Sequence, residues 1–318
     1  MSQGIFHSGE QAAQALAGVA SPNAAIRDWM PDQHRVFFGT LPFLPMATLD
    51  SEGAPVATIL TGTPGFIGSP DDHTLDIAAG ADDADPAGAF LVPGAPIGLL
   101  GIDLATRRRN RANGTVRQVG PDRLVVSVTQ SFGNCPQYIQ TRFWRDDGAV
   151  AGPVERLEGL DEAARLAIRA ADTFFVASGS GGGAGAMGGV DISHRGGRPG
   201  FVAVDRNTLV IPDFHGNHYF NTLGNLLLEP RAALLFVDWA DGTVLQVRGR
   251  VEILWAGGSR FPGAERLWRL SVSGGWRRAG ALPLRWSFGD FAPQTLRTGS
   301  WGAQRGADQV AEGPLGNN

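Results

Sequence analysis

The sequence predicts a mainly β protein with a few helices, folded as two tandem copies of one partly open barrel. Three observations carry this. The 318 residues include 45 Gly and 20 Pro, a turn-rich composition that favours many short strands over long helices. Short apolar and β-branched runs recur between Gly, Pro and Asp clusters. Segments of the first half also return in the second: Pro64-Gly65-Phe66 as Pro199-Gly200-Phe201, Leu99-Leu100-Gly101-Ile102-Asp103 as Leu234-Leu235-Phe236-Val237-Asp238, and Asn113-Gly114-Thr115-Val116 as Arg248-Gly249-Arg250-Val251. Isolated matches of this kind are common, whereas one offset (64 to 199, 99 to 234, 113 to 248) held over about fifty residues is not.

Taken in order, the elements repeat as well. A helical stretch at 31–39 precedes the apolar segment 41–48, and one at 160–171 precedes the similar segment 171–178. Strands are predicted at 55–60, 75–78, 97–104 and 124–129 in the first copy, and at 174–177, 200–204, 208–211, 232–237 and 244–254 in the second. Closing six such strands into a barrel removes most of the sheet edges. The expected organisation is an N-terminal helical arm (1–29), a first barrel (30–150), a linker helix (151–171), a second barrel (172–290) and a tail (291–318). The copies differ at one place. The second carries Asp213 to Pro230, in which Tyr219, Leu223, Leu226 and Leu227 fall at helical spacing; the first has the acidic, Pro- and Gly-rich 80–86. The second copy is therefore the one expected to hold a phosphate.

Composition narrows the chemistry. A net charge of −4 gives no basic field for nucleic acid. The single cysteine, Cys135, builds neither a disulfide framework nor a multi-cysteine metal site. All 27 cationic side chains are Arg, which excludes Schiff-base catalysis and the Lys of a nucleotide P-loop and leaves bidentate capture of phosphate or carboxylate. No run approaches the roughly 18 apolar residues of a membrane-spanning helix, and residues 1–10 lack a signal pattern, so a cytoplasmic protein is expected.

With these residues in place, the second copy resembles the FMN-binding split barrel of the pyridoxamine 5′-phosphate oxidase-like superfamily. The matching features are Gly216-Asn217, a short helix, Glu229-Pro230, the strand 232–237 and Gln246-Val247-Arg248-Gly249. Over about residues 5 to 290 the chain is similar to a bacterial branch of that superfamily, also found fused ahead of ferredoxin-reductase-like modules, on Phe6-His7-Ser8-Gly9-Glu10, 98–109 and 133–140. The resemblance implies tandem split barrels, the first degenerate, and an FMN-dependent oxidoreductase with a small-molecule substrate or electron donor. It also implies a ferredoxin-reductase-like partner and a homodimer. It places Asp213, Gly216, Asn217, Asn221 and Thr222 at the phosphate side, Gln246 at the flavin ring, and Ser193 and His194 beside them. The oxidases carry an Arg-Lys pair where this chain has Asn221-Thr222, so Arg195, with Arg198, is expected to supply the missing cation. FMN is favoured over FAD because one short anion-binding segment and no dinucleotide fold are present. Heme, a deazaflavin and a non-catalytic scaffold stay open as alternatives.

Four further motifs have competing readings. Gly183 to Gly188 fits G-x-G-x-x-G, but the following Gly196-Gly197-Arg198-Pro199-Gly200 tolerates no helix, so the segment is a hairpin loop or a lid over the flavin rather than a dinucleotide fingerprint. Asp213, His215 and His218 suit a mononuclear metal or plain hydrogen bonding. Arg107, Arg109 and Arg111 share one face of a strand and mark an anion site, a subunit contact or a solvated face. Cys135 is a packing residue or, with a base brought near by folding, a nucleophile.

Overall fold

The computed structural model describes residues 5–20, 23–82 and 84–301. An opening helix α1 (Ser8–Leu16) and α2 (Asp32–Gly39) precede seven strands: β1 (Phe43–Leu49), β2 (Pro55–Thr61), β3 (Ile67–Gly68), β4 (Thr74–Ile77), β5 (Pro96–Asp103), β6 (Arg108–Gly120) and β7 (Arg123–Gly133). Then come β8 (Arg142–Asp146), β9 (Val154–Leu157) and α3 (Glu162–Ala170). The second set is β10 (Thr173–Gly179), β11 (Val190–Gly196), β12 (Ala203–Asp205), β13 (Thr208–Phe214), α4 (Asn221–Leu228), β14 (Arg231–Val237), β15 (Val244–Leu254) and β16 (Ala264–Arg278), followed by β17 (Leu284–Phe288).

The first set forms one antiparallel sheet in the order β2-β1-β5-β6-β7-β4-β3, the second another in the order β11-β10-β14-β15-β16-β13-β12. Numbered from its own first strand, each sheet has the same order. The sequence predicted six strands per copy; the first sheet has seven, and the second has seven on the same path plus β9. The short edge strands β3 and β12, of two and three residues, are too brief to give a pattern. The long hairpin strands β6 and β16 are interrupted by Arg, Gly and Ser, which mask their alternation. The linker is not helix alone, because β9 pairs with the end of β16. Segment Gly181–Met187 forms 3-10 turns broken at Gly185 (φ 57°) and leads into a strand, as its glycines require.

The central strands explain the packing. On β1, Leu44 and Met46 enter the core of the first sheet, while Phe43 and Ala47 face the other half; on β10, Phe174 and Val176 point inward while Phe175 and Ala177 face the first half. Strands buried on both faces need continuous apolar runs, which is why these segments stood out. The halves pack reciprocally, β11 against β5 and β2 against β14. At one seam a Cβ on Gly98 would stand 2.8 Å from the Val190 carbonyl oxygen, so β11 approaches as closely as it does only because position 98 has no side chain. Ribbon β8–β17 closes the far side, where Arg142 donates to Asp172 at 2.6 and 2.7 Å in a buried pair. Among the described residues no helix is long and apolar enough to cross a membrane.

Candidate functional site

The site begins with the path between β13 and α4. His218 and Phe220 both hold φ of 60°, a left-handed conformation that costs energy in residues of their size. These two bends turn the chain so that α4 starts with its first N–H groups facing the seam. Phe220 provides no side-chain cap, so the donors of the first turn stay free for an anion.

Two strands complete the walls. On β11, Ser193 and Arg195 face this helix start, with Asp191 one alternation earlier, while His194 lines the same cavity from the other face of the strand, the face turned toward the first half. From the first sheet, β6 sends Arg109 and Arg111 across the seam. The Arg111 guanidinium donates to Asp191 Oδ2 at 2.9 Å, to Asn221 Oδ1 at 3.0 Å and to Ser193 Oγ at 2.6 Å. Arg109 donates to the Cys135 carbonyl at 2.8 Å and to His194 Nδ1 at 3.3 Å. On the opposite wall Asp213 is held between Arg195 (2.9 Å) and Arg266 (2.6 Å), and Arg266 also pairs with Glu265 at 2.6 Å. Between these walls lies a polar cavity of about 100 Å³, with Gly216, Asn217, Asn221 and Thr222 on its lining.

Four buried polar atoms of the lining residues have no hydrogen-bond partner among the described residues: Arg111 Nε, Arg195 Nε, His194 Nε2 and Asn134 Oδ1. Three are nitrogens able to donate. Because Arg109 can only donate to His194 Nδ1, the neutral imidazole carries its proton on Nε2, the orphaned atom. Burial first, then Arg109, Arg195 and Arg142, hold the His194 pKa well below its usual 6.5. Burial pushes Asp191 up against the opposing pull of Arg111. Glu10 of α1 accepts a hydrogen bond from Asn221 Nδ2, and burial raises its pKa from 4.5 to about 7. Arg111, Arg195 and Arg266, which stay charged at neutral pH, thus pair with carboxylates, Arg109 stands beside them, and two nearby carboxyls, Asp191 and Glu10, are pushed toward neutrality.

A second cavity of about 510 Å³ adjoins the first, with Asn221 in the lining of both. Trp29, Ile97, Met187 and Val190 give it apolar walls, Asn113 and Gln130 give it amides, and Gly188 and Gly189 of the Gly-rich loop close one side.

The sequence-predicted residues divide cleanly. Ser193, His194, Arg195, Asp213, Gly216, Asn217, Asn221 and Thr222 come together on the small cavity. Arg198 sits exposed in the turn after β11 and does not line it. Gln246 lies at the opposite seam, where its Oε1 accepts the Ala57 N–H at 2.6 Å. The reason is the reciprocal packing: Gln246 stands across from Leu235 in its sheet as Arg111 stands across from Leu100, so the residue facing α4 from the other half is Arg111. Sequence reasoning did not name Arg266 or Glu10 as site residues, and it left Arg109 and Arg111 between an anion site, a subunit contact and a solvated face; the structure brings these two to the pocket. Arg107 itself turns away to donate to the Ile139 carbonyl. Asp213 is taken up by two Arg side chains, and the cluster of potential metal ligands among the described residues is instead His215, His218 and Glu265, with ligand atoms within 4.8 Å of one another.

These features define a mainly β protein of two reciprocally packed antiparallel sheets with a cationic pocket at one seam. No protein-family model and no curated protein matches the chain. Among solved structures it is similar to HupZ of Group A Streptococcus (17% identity, TM-score 0.26, 33% of this chain and 94% of that one). It is also similar to an FAD-binding protein of Mesorhizobium loti (15%, 0.27, 40% and 97%) and to a structure from Lactobacillus delbrueckii described as a putative pyridoxamine 5′-phosphate oxidase (15%, 0.26, 33% and 94%).

Proposed function

We propose that the chain is a flavin-binding protein, with FMN as the favoured cofactor and oxidoreductase chemistry as its activity. One observation carries the reading: Arg109 and Arg111 of the first sheet converge with Arg195 on the uncapped start of α4, and three donors there are orphaned. This cation set stands in for the charge that Asn221-Thr222 lacks. The 100 Å³ cavity suits a phosphate, and the adjoining 510 Å³ cavity, within the usual range of about 300–1,000 Å³ for ligand sites, suits a ring system.

A bound flavin supplies hydride and single-electron chemistry. The residues of the chain would hold and shield it. Arg111, Ser193, Arg195 and the α4 N–H groups would bind the phosphate, Asn113 and Gln130 would meet the polar ring edge, and Trp29, Ile97 and Met187 would exclude water. The Gly-rich loop fits the lid reading. A ferredoxin-reductase-like electron donor and a homodimer belong to the same proposal.

The test is a spectrum of the purified protein with the released cofactor identified, followed by titration of the apoprotein. Arg195→Ala should weaken FMN by roughly tenfold to a hundredfold, from about 1.5–3 kcal/mol for a charged hydrogen bond, and riboflavin much less. A Soret band would replace flavin by heme. A protein that binds neither would favour a scaffold.

A further inference from the structure

The loop between β13 and α4 and the start of β16 bring three metal-ligating side chains together beside the anion pocket, and the flavin reading uses none of them. Strands β13 and β16 pair without a break from Thr208↔Ser271 to Asp213↔Arg266, but the next pair is Phe214↔Ala264, so Glu265 is an extra residue bulged out of β16. A bulge of this kind re-aims a side chain. Here Glu265 turns to the loop, with its Oε1 2.7 Å from His215 Nδ1 and 4.0 Å from His218 Nε2. The two imidazoles meet edge to face, their centroids 4.8 Å apart, and the ligand atoms of all three residues lie within 4.8 Å of one another. Each residue is also held from behind. Arg266 donates to the other Glu265 oxygen at 2.6 Å, the His218 ring lies nearly parallel to Phe220 with 5.9 Å between centroids, and Phe214, next to His215, stacks on Tyr138 at 5.0 Å. The His215, His218 and Glu265 side chains are nonetheless 59%, 27% and 30% exposed, within reach of an ion from solution.

We infer that His215, His218 and Glu265 bind one divalent transition-metal ion of the zinc type, and that its remaining coordination position takes an oxyanion from the adjoining pocket. Two imidazoles and one carboxylate suit Zn²⁺ and its neighbours rather than Mg²⁺ or Ca²⁺, which prefer oxygen ligands. Bonds of about 2.0–2.2 Å at tetrahedral angles set ligand atoms roughly 3.3 Å apart. That spacing lies between the 2.7 and 4.8 Å found here, so modest rotations of exposed side chains reach it. Three protein ligands leave the fourth position open. His218 and Glu265 also line the small cavity, together with Arg195 and Arg266. Those two guanidinium groups are already matched by Asp213 and Glu265, so the charge of the ion is left for an anion in the cavity to balance. Metal binding here needs no flavin; the oxyanion ligand rests on the anion pocket.

The experiment titrates the full chain, freed of any affinity tag and of bound metal, with Zn²⁺ in competition with a chromophoric chelator, and with Co²⁺ for its absorption spectrum. One Zn²⁺ per chain should bind at micromolar concentration or below, and Co²⁺ should show the intense visible bands of a tetrahedral site. His215→Ala and His218→Ala should each weaken Zn²⁺ by at least about a hundredfold, since even the residues behind metal ligands are worth about 10–100-fold. His73→Ala, at an exposed histidine paired with Asp72 in the first half, should leave it unchanged. Inorganic phosphate should bind at least about fivefold more tightly to the zinc-loaded protein than to the metal-free one, and His218→Ala should abolish that difference. No zinc binding, or binding that survives both histidine substitutions, would overturn the metal site; equal phosphate affinity with and without zinc would overturn the oxyanion ligand.

Discussion

Replacing Arg111 by Gln copies into the first seam the residue that the second seam carries, and it tests both the architecture and the anion reading. The Arg111 and Asp191 side chains are each 5% exposed and 2.9 Å apart. Removing the guanidinium strands a buried carboxylate, and breaking such a pair costs about 3–5 kcal/mol. At this chain length each kcal/mol lowers Tm by roughly 2 °C, so Arg111→Gln should melt about 6–10 °C below the parent protein. Adding Asp191→Asn removes the stranded charge and should restore at least half of that loss. Burial already raises the Asp191 pKa and Arg111 is the chief opposing influence. Without Arg111 the carboxyl therefore protonates more readily, and the deficit should be smaller at pH 5 than at pH 8. Thermal unfolding followed by circular dichroism, with and without 10 mM phosphate, reads all of this. Phosphate at a hundred times its Kd raises stability by about 2.7 kcal/mol, and this gain should largely vanish in the single variant. A double variant no more stable than the single one would refute the ion-pair argument; a phosphate-induced rise in Tm equal to the parent's would refute the anion site.

Other perturbations follow from the same contacts. Glu10 ionises near pH 4.5 in the unfolded chain and at about 7 in the folded one, so stability falls as pH rises between these values and stays low above them. Glu10→Gln keeps an acceptor for the capping box; it should match the parent below pH 4.5 and exceed it above pH 7 by up to about 3 kcal/mol, at about 1.36 kcal/mol per pH unit, and superimposable Tm–pH profiles would contradict this. His194→Phe removes the orphaned Nε2 donor and should reduce phosphate affinity roughly tenfold, measured by calorimetry. In Gly224→Ala the new Cβ would stand 2.6 Å from the Glu10 nitrogen, forcing α1 off α4; a loss of about 1–3 kcal/mol, with faster proteolysis near residue 17, is expected.

Much of this molecule is legible in its sequence, for identifiable reasons. Helices α2, α3 and α4 and strands β5, β14 and β15 show because their apolar faces are regular or unbroken. Eight of the predicted residues come together on one cavity because all of them lie on β11 or from the end of β13 to the first turn of α4, where local spacing carries the information. Glu10 was missed, and the anion reading of Arg109 and Arg111 could not be joined to this pocket, because they arrive from elements 80 to 211 positions away in sequence, and local spacing cannot report a seam between two sheets. Gln246 went to the wrong seam for the same reason. Its own neighbourhood is read correctly, but the surface it faces belongs to the other half, and only the exchange of partners between the two sheets decides which.

The docking of α1 on α4 has a consequence in time. Glu10 and Asn221 are 211 positions apart, and at about 5–20 residues per second a ribosome needs roughly 10–40 s to travel from one to the other. During that interval Phe6 and Ala13, buried in the finished protein, have no surface to cover them, and the wall that Glu10 contributes to the larger cavity does not exist. An arm made before either sheet is thus among the last parts to find its place, and a ligand that needs both cavities meets a complete site only after the second sheet has formed and α1 has folded back over it.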